Sequence, residues 1–405
     1  MHARVLPAVM RGVAAVLYGV ALLSTSAAHA EPVVRTQIAS SPAQLAASAT
    51  ADASQPADET ASAPAATHKG GNFIAVILPA KAKAWKPAVE AIKSGLFAAE
   101  SALSDGDQPP LRIFDTTDTD DDILAQFNRA ISLGAAAVIG PLTKSAVNNI
   151  GDNGHFDIPV LALNSFDSNT LHRPGFYSFS LSVESEAAQV AQQMRDDSFT
   201  HPVIVTVDGA LAQRMTQGFT DGWRSANQTI VPILKTTGKD YAQLKAQLDI
   251  DGADAVFLAM DARQARKIRP FIGTTRAIYA TSQINIGKQP ATALLDLAGI
   301  HFLDMPWITQ PNTPEYKIYE HARSPSNDLE RLFAMGVDAW KITAALLDTP
   351  PDQLGITDGL TGSLHVDATS TIQRSLVPQV LTVQIPNAEA PGYTEAPASV
   401  PSTEQ

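Results

Sequence analysis

The sequence predicts an α/β protein of two lobes, each a parallel β-sheet flanked by helices. Short β-branched runs alternate with amphipathic stretches over about 315 residues, which is typical of βαβ units and too long for one ordinary core. A motif also recurs: Gly-Ala-Ala-Ala-Val at 134–138 and Gly-Ala-Asp-Ala-Val at 252–256. In each copy the glycine suits a helix C-terminus and the Ala-Val pair begins a buried strand. Two similar series of elements therefore follow one another.

Lobe one, residues 71–180, is predicted to contain four strands joined by three crossover helices. Its helices have apolar residues such as Val89, Ile92 and Leu96 at helical spacing. The strands are 73–78, 111–114, 136–139 and 160–163, and the helices are 85–103, 123–133 and a short one after Thr143.

Lobe two, residues 200–305, repeats this order after a linking helix over 183–195. Its predicted strands are 203–207, 230–234, 255–258, 277–280 and 300–302, and its helices are 212–225, 241–248 and 262–268.

The C-terminal segment, residues 306–385, is predicted to return past both lobes and to brace the hinge between them. A proline marks a turn at 305–307, a long helix covers 329–347, and weaker strand patterns occupy 363–366 and 380–385.

Residues 1–30 have the three parts of an export signal. Arg4 and Arg11 give a positive start, 13–23 is apolar, and Ala28-His29-Ala30 is a small-x-small cleavage site. The alternative is a membrane anchor, but polar residues interrupt an apolar stretch that is borderline for a span. We therefore expect a cleaved signal peptide and a periplasmic protein.

Residues 31–70 and 386–405 consist mainly of Ala, Ser, Thr, Pro and acidic residues. Because they contain few large apolar side chains to bury, the first is predicted to be a disordered linker and the second a disordered tail.

The charge balance and the absence of cysteine exclude several classes of function. A net charge of −12 leaves no basic surface for nucleic acid or an anionic membrane. With no cysteine in the sequence, disulfides, thiolate metal sites and a cysteine-linked lipid anchor are not expected.

Catalytic signatures are missing from the sequence. It contains no G-x-S-x-G, H-E-x-x-H, G-x-x-x-x-G-K or S-x-x-K motif. Asp118, Asp120 and Asp122 alternate as in a calcium loop, but the glycine and glutamate that such a loop needs further on are absent. These carboxylates fit better as the acidic start of the next helix. We therefore predict a protein without enzymatic activity, metal or cofactor.

The candidate binding residues follow the C-terminal ends of predicted strands. At that edge of an open α/β sheet, loops diverge and ligands bind. Two alternatives remain open, since Thr143 could merely cap a helix and Asn164 merely close a turn. The candidates for a ligand or partner cleft are Thr143, Lys144, Ser145, Asn164, Ser165, Asp208, Thr281, Ser282, Asp304 and Trp307.

Several short motifs in order resemble the LppC family. They include Gly-Pro-Leu-Thr-Lys at 140–144, Pro-Val-Leu-Ala-Leu-Asn at 159–164, Tyr-Ala-Thr-Ser at 279–282, Asp-Met-Pro-Trp at 304–307 and Gly-Val-Asp-Ala-Trp at 336–340. The likeness extends from about residue 72 to residue 384. It implies a type I periplasmic-binding-protein-like fold that contacts and activates a class A penicillin-binding protein, and so promotes peptidoglycan synthesis.

Two functions remain open from the sequence. One is a non-catalytic regulator that acts by surface contact with a cell-wall synthase. The other is a soluble substrate-binding protein of a transporter, whose lobes close on a small polar metabolite such as an amino acid. The lining of the cleft discriminates between them, because a cleft closed by the protein's own side chains does not suit a receptor.

Overall fold

Two parallel β-sheets form the centre of the structure, a computed structural model that describes residues 71–167, 173–227, 229–237 and 241–382. The export signal and linker predicted over residues 1–70 and the tail predicted over 386–405 lie outside the described residues. None of the helices in the described ranges combines the length and the apolar character needed to cross a membrane.

The first sheet has five parallel strands. They are β1 (Phe73–Leu78), β2 (Leu111–Asp115), β3 (Ala135–Ile139), β4 (Val160–Ala162) and β5 (Phe176–Ser178), in the order β2-β1-β3-β4-β5. Alternate side chains of β1 enter different cores: Ile74 and Val76 face one side, and Ala75 and Ile77 face the other. Both faces of this sheet are therefore covered, as its continuous apolar runs predict.

Helices cover both faces of the first sheet. They are α1 (Lys86–Leu103), α2 (Asp120–Ser132) and α3 (Lys144–Asn153). The acidic residues Asp120, Asp121 and Asp122 occupy the first turn of α2, where carboxylates offset the positive end of a helix. Helix α2 thus begins three residues earlier than the predicted start at Ile123.

The second sheet has six strands. They are β6 (Pro202–Thr206), β7 (Ile233–Lys235), β8 (Ala255–Ala259), β9 (Ala277–Ala280), β10 (Ile300–Asp304) and β14 (Val377–Val380), in the order β14-β10-β9-β8-β6-β7. All neighbours are parallel except β14, which pairs antiparallel with β10. The C-terminal segment therefore supplies β14, the edge strand that completes the sheet of lobe two.

Among the described residues, five α-helices belong to this half of the molecule. They are α4 (Val183–Asp196), α5 (Ala210–Asn227), α6 (Tyr241–Ile250), α7 (Ala262–Ile268) and α8 (Ala291–Leu295). Helix α4, which was predicted as the linking helix between the lobes, packs against α5. Their shared core includes Val190 of α4, Phe219 of α5 and Phe257 of β8. Helix α4 is thus part of the covering layer of the second sheet.

The C-terminal segment divides between the two halves. After α9 (Pro306–Thr309), the long helix α10 (Asn327–Asp348) packs against α1 and joins the core of the first sheet. A small antiparallel sheet follows, made of β11 (Gly355–Ile356), β12 (Ser363–Val366) and β13 (Ile372–Ser375).

Helices α1 and α10 cross at two glycines. A Cβ atom on Gly95 would lie 2.0 Å from the Phe333 carbonyl oxygen, and one on Gly336 would lie 2.2 Å from the Ile92 carbonyl oxygen. Only hydrogen fits at either position, so the two helices approach backbone to backbone.

Three strand predictions need correction. The run at 230–234 forms a strand only from Ile233, because Pro232 lacks the N–H that a strand interior requires. The last strand, predicted at 380–385, is Val377–Val380, a short edge strand with a weak apolar pattern. Strand β5 was not predicted, since three residues are too few for a periodic signal.

Candidate functional site

A cavity of about 90 Å³, lined by both polar and apolar side chains, lies between the two sheets. Lobe one contributes the ends of its strands, including Leu163 and Asn164, and lobe two contributes Ser282 and Asp304. Helix α10 forms part of the wall with Arg331 and Leu332. Pockets for small-molecule ligands usually enclose about 300–1,000 Å³, so this cavity suits only a compact group.

Asp304 and Arg331 connect the two halves of the molecule across this cavity. Asp304 ends β10, and its two carboxylate oxygens accept hydrogen bonds from Arg331 Nε at 3.0 Å and Nη2 at 2.7 Å. Arg331 Nη2 also donates to the carbonyl oxygens of Ser282 and Asn285. Burial alone would lower the pKa of Arg331, but the Asp304 carboxylate outweighs burial and raises it. The guanidinium is therefore permanently charged and fully engaged.

Glu186 is a second carboxyl group in the same cavity. It lies on the buried face of α4, with 7% of its surface exposed, and accepts a hydrogen bond from the Ser282 backbone N–H. Burial, together with repulsion from Asp304, raises the pKa of Glu186 to about 7. Its charge therefore changes near neutral pH.

Arg374 is the least satisfied charged group of the cavity. It extends from β13, only 8% of its surface is exposed, and its Nη1 atom is buried without a hydrogen-bond partner. Burial lowers the pKa of Arg374, while attraction to Glu186 and Asp304 opposes that effect. The cavity thus contains a desolvated guanidinium group with an unused donor.

One rim of the cavity carries a further ion pair. Arg214 on α5 donates through Nη2 to Glu184 on α4 at 2.8 Å. Burial would raise the pKa of Glu184, but the hydrogen bond and charge of Arg214 reverse the direction and lower it. The Glu184 carboxylate is therefore ionised near neutral pH.

Four of the sequence-predicted cleft residues line the cavity: Asn164, Ser165, Ser282 and Asp304. Asn164 also closes its own turn, because its side-chain amide donates to the Leu142 carbonyl and its oxygen accepts from the Ser165 N–H. Asn164 therefore closes its turn and also lines the cavity, and its role in binding stays a prediction.

The other lobe-one candidates lie outside the lining. Thr143 is buried and caps α3 by accepting a hydrogen bond from the Ala146 N–H at 3.4 Å. Lys144 forms an ion pair with Asp167 at 2.9 Å, and Ser145 is exposed on α3. The capping interpretation of Thr143 is the one that the structure supports.

The remaining candidates are also placed elsewhere. Thr281 is buried against Met215, and Asp208 pairs with Lys235 at 2.5 Å on the surface of lobe two. Trp307 lies on α9, packs against Phe333 of α10 and donates to Glu330 at 2.8 Å. A predicted strand end locates an edge of the sheet but not the direction of each side chain.

Sequence reasoning missed Glu186, Arg331 and Arg374 as site residues. A signal existed for Glu186, since it shares one helical face with Val183, Val190 and Met194, where a carboxylate is out of place. Arg331 likewise lies in a buried stretch of α10 that begins at Glu330. Charged residues on apolar helix faces are therefore a second criterion for such sites.

Metal binding finds no support in the geometry of this cavity. Within the four described ranges, no group of three or more His, Asp or Glu side chains is placed to hold a metal ion. The arrangement instead combines paired charges with one unsatisfied cation.

The family relationship follows from comparison with known sequences. The family model described as "LppC putative lipoprotein" matches residues 68–251 and 239–378. The chain belongs to the LppC family. This agrees with the motifs noted between residues 140 and 340.

Named relatives in this family are penicillin-binding protein activators. The LpoA protein of Pasteurella multocida is 28% identical over 314 residues, which cover 75% of this chain and 52% of that protein. LpoA of Haemophilus influenzae is 26% identical over 278 residues, covering 66% of this chain and 47% of that protein. The chain thus spans about half the length of these relatives.

Solved structures confirm the two-lobed, periplasmic-binding-protein-like fold. A protein of Chromobacterium violaceum assigned to branched-chain amino acid ABC transport matches with a TM-score of 0.67 and 33% identity, over 76% of this LppC chain and 99% of that chain. The LpoA C-domain from Haemophilus influenzae, described as a regulator of PBP1A, matches with a TM-score of 0.65 and 24% identity, over 76% of this chain and 97% of that domain.

Proposed function

We propose that this LppC-family chain is a non-catalytic periplasmic regulator that contacts a class A penicillin-binding protein and promotes peptidoglycan synthesis. The observation that carries the proposal is the sequence relationship to penicillin-binding protein activators over about three quarters of the chain. The export signal predicted in residues 1–30 supports the periplasmic location.

The cavity geometry favours action through the outer surface. Asp304 and Arg331 join the lobes directly, and the remaining space of about 90 Å³ is small for a metabolite. A protein held together in this way can activate a synthase by binding its active conformer more tightly than its inactive one.

The direct test is the glycan-polymerising rate of the class A synthase from the same organism, measured with increasing amounts of the full chain. We expect the rate to rise to a plateau, and the synthase to be retained by the immobilised chain. Heat-unfolded chain serves as the control. An unchanged rate together with no retained synthase would refute the proposal.

A second function has one specific observation in its favour. The Chromobacterium violaceum protein is assigned to amino acid transport and aligns over nearly its whole length with this chain. A transport receptor would be stabilised by its solute, by about 2.7 kcal/mol at a hundredfold excess over Kd. Thermal unfolding with leucine, isoleucine and valine tests this function, and no stabilisation by any of them excludes these amino acids as its solutes.

A further inference from the structure

Arg374 is a buried cation with a hydrogen-bond donor that the surrounding protein leaves unused. A guanidinium group carries five N–H donors, and burying one without partners is costly unless an anion or hydrogen-bond acceptor is present. Arg374 Nη1 has no such partner among the described residues, although the side chain is more than nine-tenths buried. The neighbouring guanidinium of Arg331, in contrast, uses its donors on Asp304, Asp328 and two backbone carbonyls.

The position of Arg374 is fixed by its surroundings. It lies on β13, whose next segment is tied to α4 because the Leu376 N–H donates to Gln189 Oε1 at 3.0 Å. This hydrogen bond constrains the backbone beside Arg374, whose side chain lines the cavity together with Asn164 and Ser165 of lobe one.

We propose that the cavity between the lobes binds a compact carboxylate group, with Arg374 as its principal anchor. The planar guanidinium fork matches the two oxygens of a carboxylate. Serine hydroxyls of Ser165 and Ser180 also line the cavity and supply further donors. An engineered cavity of about 150 Å³ accommodates benzene, so a cavity of about 90 Å³ accommodates a group the size of acetate.

The charges around the cavity determine how this binding depends on pH. The charged side chains that line it come from α4, α5, β10, α10 and β13: Glu186, Arg214, Asp304, Asp328, Arg331 and Arg374. Outside the lining, Glu184 pairs with Arg214, and Asp338 of α10 attracts Arg374. With Glu186 ionised, the three lining carboxylates equal the three guanidinium groups in number; with Glu186 protonated, the guanidinium groups are in excess. Carboxylate binding should therefore be tighter below about pH 7 than above it.

This inference goes beyond the proposed regulatory function and does not depend on it. The existence of the carboxylate site is testable with the isolated chain. Failure of either proposal leaves the other standing.

The experiment measures the thermal midpoint of the full chain with sodium acetate, with sodium chloride at matched ionic strength, and with acetamide. Acetamide has the shape of acetate without its charge. We expect a saturable rise with acetate alone, larger at about pH 6 than at about pH 8. N-Acetylglycine, which carries its carboxylate at the end of a larger molecule, is added in a separate measurement. A rise with acetate but not with N-acetylglycine indicates a site for a free small acid, and a rise with both indicates a site for the carboxylate end of a larger molecule.

Two substitutions locate the effect. Arg374→Met should weaken the apparent affinity for acetate at least tenfold, while Arg263→Met, at an exposed position on α7, should leave it unchanged. Arg374→Lys keeps the cation but loses the two-pronged guanidinium fork, so it should weaken acetate binding less; it is the second variant if Arg374→Met does not fold. Equal midpoints in acetate, acetamide and chloride would overturn the proposal. An apparent acetate affinity unchanged in Arg374→Met, or in Arg374→Lys if Arg374→Met does not fold, would also overturn it.

Discussion

At the scale of single residues, the cavity brings together charges that lie far apart in the sequence. Ser282 and Asp304 were predictable because they follow strands of a parallel sheet. Arg374 was not, since its hairpin reaches the cavity only through tertiary packing, and no local pattern marks it. Its burial, and the lowering of its own pKa that burial causes, are properties of the folded chain alone.

Glu186 makes the stability of the protein depend on pH. Its pKa is about 7 in the folded protein and 4.5 without the interactions of the fold, so the folded state binds the proton more tightly. The free energy of unfolding should therefore fall as pH rises from about 4.5 to about 7, by about 3 kcal/mol from this residue. Asp338, whose pKa burial raises to about 6, acts in the same direction over a lower range.

Glu186→Gln should reduce the decrease in the free energy of unfolding between about pH 4.5 and pH 7. Glutamine stays neutral over this range, while its carbonyl can still accept the hydrogen bond from the Ser282 N–H. Chemical denaturation at several pH values between about 5 and 8 measures the effect. Glu90→Gln, at an exposed position on α1, is the control and should follow the unsubstituted protein. If the free energy of unfolding depended on pH in the same way in both variants, the pH dependence could not be assigned to Glu186.

Removal of Arg331 should be among the most damaging substitutions. Arg331→Met leaves Asp304 buried without its partner, which typically costs about 3–5 kcal/mol. Arg266→Met breaks the exposed pair with Asp296 and should cost less than about 1 kcal/mol. Equal losses in the free energy of unfolding would show that the bridge has no special role.

At the scale of elements, helix and strand periodicity predicted most of the core but not how its helices pair. The pattern of α10 indicated a long buried helix, and its partner α1 was predicted separately. Their contact depends on Gly95 and Gly336, which lie opposite each other only in the folded protein. In lobe two, Gly218 and Gly222 of α5 likewise face the backbone of α4. Close helix contact is thus a shared feature of both lobes.

Gly336→Ala tests this contact. The added methyl would meet the Ile92 carbonyl oxygen at 2.2 Å, so the helices must separate, at a cost of about 1–3 kcal/mol or more. Gly355→Ala is the matched control, because a methyl group added there would have no other atom within 4 Å. The free energy of unfolding should fall for the first variant and change little for the second; a small loss in both would disprove the close crossing.

At the scale of the whole molecule, the βαβ alternation and the recurring Gly-Ala motif were sufficient to predict two lobes. They could not predict that the C-terminal segment divides between them, with α10 in the core of the first sheet and β14 at the edge of the second. That division, with the Arg331 bridge, joins the lobes at several points. It follows that the lobes should behave as one unit.

The most direct test of this claim is a distance measurement between the lobes. Since the sequence has no cysteine, Ser145→Cys on α3 and Arg263→Cys on α7 give two unique sites for spin labels. Double electron–electron resonance should show one narrow distance distribution that branched-chain amino acids do not change. Two populations, or a shift of several ångströms on adding an amino acid, would show lobes that open and close as in a receptor, and would contradict the account.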